Sequence, residues 1–317
     1  MEKTEFYRRL VLGFEGTSPS TDFLKLLERI RPGGVIFFER NFEDPNDLAE
    51  HSRIIRNILP KALIMMDQEG GEKSRLRSGH GFPNPPNPRD LPRLLSPGET
   101  RRVYRECGES LRELGINVDL APVLDLAPPK HFLKNRSISE NPDIAAEYGI
   151  AALSGLLEAG VMPCAKHFPG LGTAILDPHH RVSVAPENAD FERHMRPFRR
   201  AIRAGVPAVM TTHLRALSLD PAGEIATFSK PIVEMLRTDL SFDGLILSDD
   251  LLMSGARARG NLPENIAKAV TAGHDMILLC REIEDLDRAL SDALHRLSNT
   301  EDHASTRIES AAAKFGF

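Results

Sequence analysis

Apolar residues gather in eight short runs along the chain, at 9–14, 34–38, 62–67, 117–124, 161–167, 208–213, 244–249 and 275–280. Most are continuous rather than alternating, which is the pattern of strands covered on both faces. Helical stretches lie between them. Residues 47–59 follow an Asp-Pro start and carry Ile54, Ile55 and Ile58 at helical spacing, while 145–159 is rich in Ala and Leu and ends at Gly160, a C-cap residue. The polar stretch 187–190 leads into 191–204, which stops at Gly205-Val206-Pro207; Pro197 inside it marks either a late start or a kink. Residues 232–236 and 263–272 also read as helical, the second ending at Gly273.

Strands separated by long crossovers pair in parallel, and eight of them close a barrel. The expected fold class is therefore α/β, a single TIM-type (β/α)8 barrel over residues 1–317. The rival, an open doubly wound sheet, would carry a dinucleotide fingerprint after its first strand. Gly13-Phe14-Glu15-Gly16 has the wrong spacing, so no such cofactor is expected. No repeat or linker divides the chain, and the Pro-rich segment 82–88 reads as a loop held extended.

Composition narrows the partners. The 317 residues carry 45 acidic and 40 basic side chains, a formal charge of −5, and the pI is near 6.1. Phosphate binding needs a concentrated basic surface, so nucleic acid is not an expected partner. Three cysteines, Cys107, Cys164 and Cys280, are too few and too scattered for a disulfide framework and suit a reducing compartment. Cys164 and Cys280 fall within expected strands. The N-terminal apolar run 10–14 is cut short by Glu15, too soon for a signal peptide or a spanning helix. A cytoplasmic protein without a membrane partner is expected.

Catalytic groups of such a barrel sit at the C-terminal ends of its strands, and unusual polar residues end several of these runs. Asp67-Gln68-Glu69-Gly70-Gly71 follows the third, with Arg75 beyond; Asp125 ends the fourth, and Arg136 lies in the next loop. Lys166-His167 ends the fifth, ahead of Asp177-Pro178-His179-His180; His213 ends the sixth and Ser248-Asp249-Asp250 the seventh. Each has an ordinary structural reading. An Asp such as Asp250 caps the next helix, a Lys-His pair faces solvent or sits satisfied in the core, and Arg136 anchors its own loop. Gathered on one face they point instead to an enzyme acting on a polyhydroxylated substrate. His179-His180 has no partner at metal-ligand spacing, so no metal is expected, and no G-x-S-x-G elbow marks a serine nucleophile.

Several blocks stand in the order of a known family. They are Gly33-Gly34-Val35-Ile36-Phe37-Phe38 with Arg40-Asn41, Asp67-Gln68-Glu69-Gly70-Gly71, Ala121-Pro122-Val123-Leu124-Asp125, Arg136-Ser137, Lys166-His167-Phe168-Pro169-Gly170, and Ser248-Asp249-Asp250-Leu251 with Met253. With the strand pattern around them, the chain resembles the glycoside hydrolase family 3 barrel over residues 10–280, specifically the single-domain β-N-acetylglucosaminidases of bacterial peptidoglycan recycling. The resemblance implies a retaining hydrolase that removes terminal β-linked N-acetylglucosamine (GlcNAc) from muropeptide or chitin-type fragments, without a cofactor. It makes Asp249 the nucleophile, which forms a glycosyl–enzyme ester. It makes His179 the acid/base and Asp177 the carboxylate that orients and polarises it. Asp67, Arg75, Arg136, Lys166 and His167 match contacts to the sugar. Asp250 is left structural, and His213 shares the face with no role carried over. Gly170 and Gly172 are expected to let the acid/base loop close over substrate.

The chain departs from the family pattern at three places. Glu72 stands where the family has Arg, Leu171 replaces a His, and Pro178 in Asp177-Pro178-His179 replaces a Ser. These changes bear on fine specificity and loop mobility. A GlcNAc phosphorylase fits the same scaffold, because a deprotonated imidazole does not repel phosphate as a carboxylate does; so does a β-glucosidase. A catalytically silent sugar-binding barrel is the remaining alternative. The expected ligand is a GlcNAc-containing carbohydrate, bound by a monomer.

Overall fold

A computed structural model describes residues 1–77, 79, 81–175, 182–297 and 304–316. Its strands are β1 (Leu10–Leu12), β2 (Gly34–Phe37), β3 (Leu63–Met66), β4 (Val118–Asp119), β5 (Met162–Phe168), β6 (Ser183–Val184), β7 (Ala208–Thr211), β8 (Leu214–Arg215), β9 (Leu245–Leu247) and β10 (Ile277–Leu279). β6 and β8 pair with each other. The other eight form one parallel sheet in the order β10-β1-β2-β3-β4-β5-β7-β9. Its two ends meet where Leu247 bridges Met276 and the N–H groups of Asp275 and Met276 donate to the Ile246 carbonyl. The result is the (β/α)8 barrel that the runs imply.

Continuous apolar sequence is explained by two burial environments. Val11, Ile36, Met65, Leu120, Met210 and Leu278 fill the barrel interior. Their neighbours on the strands, such as Leu12, Val35, Ile64 and Ile246, pack outward under helices. β4 is shorter than its apolar run because Pro122 has no N–H for a ladder. Beyond it, Cys164 and Lys166 donate to the Ala121 and Pro122 carbonyls, so the run still follows β5. Cys280 lies just past the end of β10, and all three cysteines are buried and unpaired.

The expected helices form as Pro45–Ile58, Pro142–Glu158, Phe191–Arg203, Lys230–Arg237 and Leu262–Ala272. Asp190 caps the third by accepting from the Arg193 N–H, so this helix starts at Phe191 and not at Pro197. Pro197 sits inside it, buried. The apolar face of Phe191, Met195, Phe198 and Ala201 anchors the helix and outweighs one missing backbone bond. Helices also form at Thr21–Ile30, Pro97–Glu113, Leu286–Arg296 and Ser305–Phe315, where the pattern gave no expectation. The last of these seals the bottom of the barrel: Ala304, Ile308 and Phe315 join the interior cluster, and Arg307 donates to the buried Asp275 carboxylate at 2.9 and 2.7 Å. Among the described residues, no helix is long and apolar enough to cross a membrane.

Candidate active site

The C-terminal ends of the strands open on a cavity of about 1030 Å³, with Asp67, Glu69, Arg136, Lys166, His167 and Asp249 on its wall. The walls differ in kind. One side, at the tips of β3 and β5, is an ion cluster. Lys166 Nζ donates to Asp67 at 2.6 Å and lies 2.7 Å from Glu69, while Arg75 donates to the second Asp67 oxygen at 2.7 Å. Arg136 forks onto both Glu69 oxygens at 2.8 Å. Two carboxylates thus face three cations, with Lys166 only 2% exposed. Burial alone would raise the Asp67 and Glu69 carboxyls, but Lys166 with Arg75 on one, and Arg136 with Lys166 on the other, hold both well below the carboxylate range. Burial would likewise lower the Lys166 ammonium, and the two carboxylates reverse that and keep it charged. Arg75 also lies over the Phe38 ring at 5.2 Å, with Arg40 over the same ring at 4.5 Å.

Asp125, fully buried, organises the next stretch. One carboxylate oxygen accepts from the His167 Nδ1 at 2.6 Å and from its backbone N–H at 3.2 Å; the other accepts from the Leu171 N–H at 2.6 Å. With Nδ1 donating, Nε2 of the ring faces Arg136 Nη2 as an acceptor, 3.4 Å away. A single side chain therefore sets both the His167 ring and the root of the segment leading toward Asp177. That root is tightly packed. A Cβ on Gly172 would stand 1.9 Å from the Leu126 carbonyl oxygen, and one on Gly170, whose φ is +128°, 2.8 Å from His194 Cβ. Both glycines serve close packing, and Gly170 also an unusual backbone angle.

Asp249 and Asp250 follow β9 on the opposite wall. Asp249 is half-buried and its Oδ1 accepts the Asp250 N–H at 2.8 Å. Asp250 directs its carboxylate away from that role, accepting from the Leu252 and Cys280 N–H groups at 3.0 and 3.2 Å. Burial, only partly offset by those two donors, raises its carboxyl above the usual range. This agrees with a structural Asp250. His213 is buried, with its ring between Thr227 and Asp250.

The cavity thus collects Asp67, Arg75, Arg136, Lys166, His167 and Asp249. Asp177 and His179, with Pro178 and His180, lie outside the described residues. Arg136 does more than anchor its own loop, since its partner is 67 positions away. Both Asp67 oxygens accept from cations, Lys166 on one and Arg75 on the other, and each keeps a further lone pair. Of the departures, Glu72 is exposed and off the cavity wall, its N–H donating to Asn87; Leu171 is buried and lines the cavity. Sequence reasoning gave no role to Glu69 or Asp125. For Glu69 a signal existed, because positions 67 and 69 share one side of an extended strand end. Among the described residues, no group of three or more His, Cys, Asp or Glu side chains could hold a metal ion.

A parallel barrel with a polar cavity lined by carboxylates and cations at its strand tips is the layout of a barrel enzyme. The comparisons with known proteins narrow it further. The model of the glycosyl hydrolase family 3 N terminal domain matches residues 10–313. Beta-hexosaminidases of Nitrosomonas eutropha and Thioalkalivibrio sulfidiphilus are 34% and 35% identical, each alignment covering 90% of this chain and 84% of the relative. Among solved structures, a glycoside hydrolase family 3 beta-N-acetylglucosaminidase from Paenibacillus superposes with a TM-score of 0.87 at 31% identity; it covers 99% of this chain, which spans 61% of that longer protein. Native NagZ from Neisseria gonorrhoeae superposes with a TM-score of 0.83 at 25% identity, over 97% of this chain and 89% of its own. The chain belongs to glycosyl hydrolase family 3. It is a glycosidase with a carbohydrate substrate.

Proposed function

We propose that the protein is a retaining β-N-acetylhexosaminidase that releases terminal β-linked GlcNAc. In this reading Asp249 is the nucleophile, His179 the acid/base and Asp177 its polarising partner. Asp67, Arg75, Arg136, Lys166 and His167 hold the terminal sugar. The observation that carries the reading is the placement of Asp249 across one cavity from the Asp67–Lys166–Glu69–Arg136 cluster. A sugar bound to that cluster through its hydroxyls would present its anomeric carbon toward the other wall. A carboxylate on that wall can attack the anomeric carbon and form a glycosyl ester. An Asp67–Lys166–Glu69–Arg136 lattice whose members already hold one another in place reorganises little when substrate arrives, which suits transition-state binding.

The natural substrate class we favour is a muropeptide or chitin-type fragment, bound by residues 1–317 acting as one barrel and as a monomer. Three buried, unpaired cysteines suit the cytoplasm. The test compares the wild type with Asp249→Ala on an aryl β-N-acetylglucosaminide: the variant should lose at least about 10³-fold in kcat, and equal release by both would end the assignment. His179→Ala should be slow on a poor leaving group and much less impaired on a good one, since only the former needs its departing oxygen protonated. Assays run with and without inorganic phosphate separate hydrolysis from phosphorolysis through the appearance of GlcNAc 1-phosphate.

A further inference from the structure

The mechanism above leaves one buried histidine at the barrel's active end without a task. His213 follows β7, is fully buried, and does not line the cavity. Its Nε2 lies 2.8 Å from the Asp250 carbonyl oxygen. A carbonyl can only accept, so Nε2 carries the hydrogen. Its Nδ1 lies 2.8 Å from the hydroxyl of Thr227, itself buried, which fixes the ring from behind. Residue 250 is held at two further points, through its carboxylate by the Leu252 and Cys280 N–H groups. Its own N–H, in turn, occupies Oδ1 of Asp249 at 2.8 Å. Among the described residues, Oδ2 of Asp249 has no hydrogen-bond partner.

We propose that His213, backed by Thr227, is a positioning residue for the nucleophile: by fixing residue 250 it holds the Asp249 carboxylate in one rotamer, with Oδ1 tied and Oδ2 presented to the anomeric carbon. The inference rests on the reading of Asp249 as nucleophile. In the first step an Oδ2 lone pair forms the bond to the anomeric carbon. The bond to the aglycone oxygen breaks with its electron pair, and that oxygen takes a proton from the acid. In the second, water adds to the anomeric carbon, loses a proton to the same base, and Oδ2 leaves as carboxylate. Both steps need Oδ2 on the axis of attack. Small misplacements of a reacting atom are costly, with about a hundredfold in rate for about 1 Å. Sugar binding should not depend on His213, because the ion cluster stands on β3 and β5.

The test uses the full chain and an aryl β-N-acetylglucosaminide with a poor leaving group, so that formation of the glycosyl–enzyme limits kcat and KM reports binding. His213→Leu removes the donor and should lower kcat at least about thirtyfold, leaving KM and the Ki of free GlcNAc within about threefold. His213→Gln places an amide N–H near the position of Nε2 and should recover most of kcat, whereas His213→Asn, too short to reach Asp250, should not. If the Leu variant does not fold, the Gln and Asn pair decides the question. The proposal is overturned if His213→Leu keeps wild-type kcat, if Ki rises in step with the loss of kcat, or if Gln rescues no better than Asn. Asp249→Ala, assayed alongside, separates the two readings: activity there removes the nucleophile assignment itself, whereas an inactive Asp249→Ala beside a fully active His213→Leu removes only the positioning role.

Discussion

Lys166 is the residue on which the ion cluster depends, because among the described residues it alone contacts both Asp67 and Glu69. Replacing a buried member of such a cluster leaves the others uncompensated. Lys166→Met should therefore cost about 3–5 kcal/mol of stability, read by urea unfolding at pH 7. Glu69 gives the cluster a signature in acid. Its carboxyl is pulled from an ordinary value of 4.5 to about 2 in the folded chain, where Arg136 and Lys166 overcome burial. Folding thus favours the ionised form. That contribution is complete above pH 4.5 and is lost as pH falls through the folded value near 2. Glu69→Gln should flatten this part of the acid limb of the stability profile, and an unchanged slope would show that the carboxylate is not held by the cluster. Asp119 behaves in the opposite sense. Burial raises its carboxyl well above the usual range, so its contribution is greatest in acid and declines as pH rises past the unfolded value. Asp119→Asn, which keeps the oxygen that accepts from Gln68, should be more stable than the wild type at pH 7 and lose that advantage near pH 3.

Elements were legible in the sequence where burial is one-sided or complete, and obscure elsewhere. The eight apolar runs mark the eight barrel strands, β5 alone reaching one residue past its run, and Gly160 and Gly273 terminate their helices in left-handed conformations, with φ of +73° and +114°. The helix Pro97–Glu113 is crowded with Arg and Glu, yet Thr100, Tyr104, Cys107 and Leu111 recur every three or four residues on its buried face. That stripe is narrow because much of the contact is made by backbone. A Cβ on Gly155 of the neighbouring helix would lie 2.2 Å from the Arg101 carbonyl oxygen. Gly155→Ala should accordingly destabilise by about 1–3 kcal/mol despite the better helix propensity of Ala, measured as a fall in unfolding midpoint. The candidate site was legible as a set of residue types at strand tips. Its wiring was not, because Arg136 meets Glu69 across 67 positions and His167 meets Asp125 across 42. Only strand order brings those partners together.

At the scale of the whole molecule, chemistry and closure occupy opposite ends of the barrel. The cavity opens at the strand tips, while the C-terminal helix fills the base with Ile308 and Phe315 and pins Arg307 to Asp275, which also accepts from Arg237 at 2.6 Å. Truncating Ile308 to Ala should cost about 2–5 kcal/mol, detectable as a lower unfolding midpoint with KM for an aryl glycoside unchanged. The N-terminal helix Lys3–Arg8 joins the same base through the Arg8–Glu309 ion pair at 2.6 Å. Both of these helices therefore lie on the face turned away from the reaction. A bead, an electrode or a fused carrier attached through an exposed position of either helix would leave the mouth facing solution. Tethered this way, the enzyme should keep its kcat/KM even on polymeric glycans, whereas coupling through random surface lysines would turn part of the population toward the support.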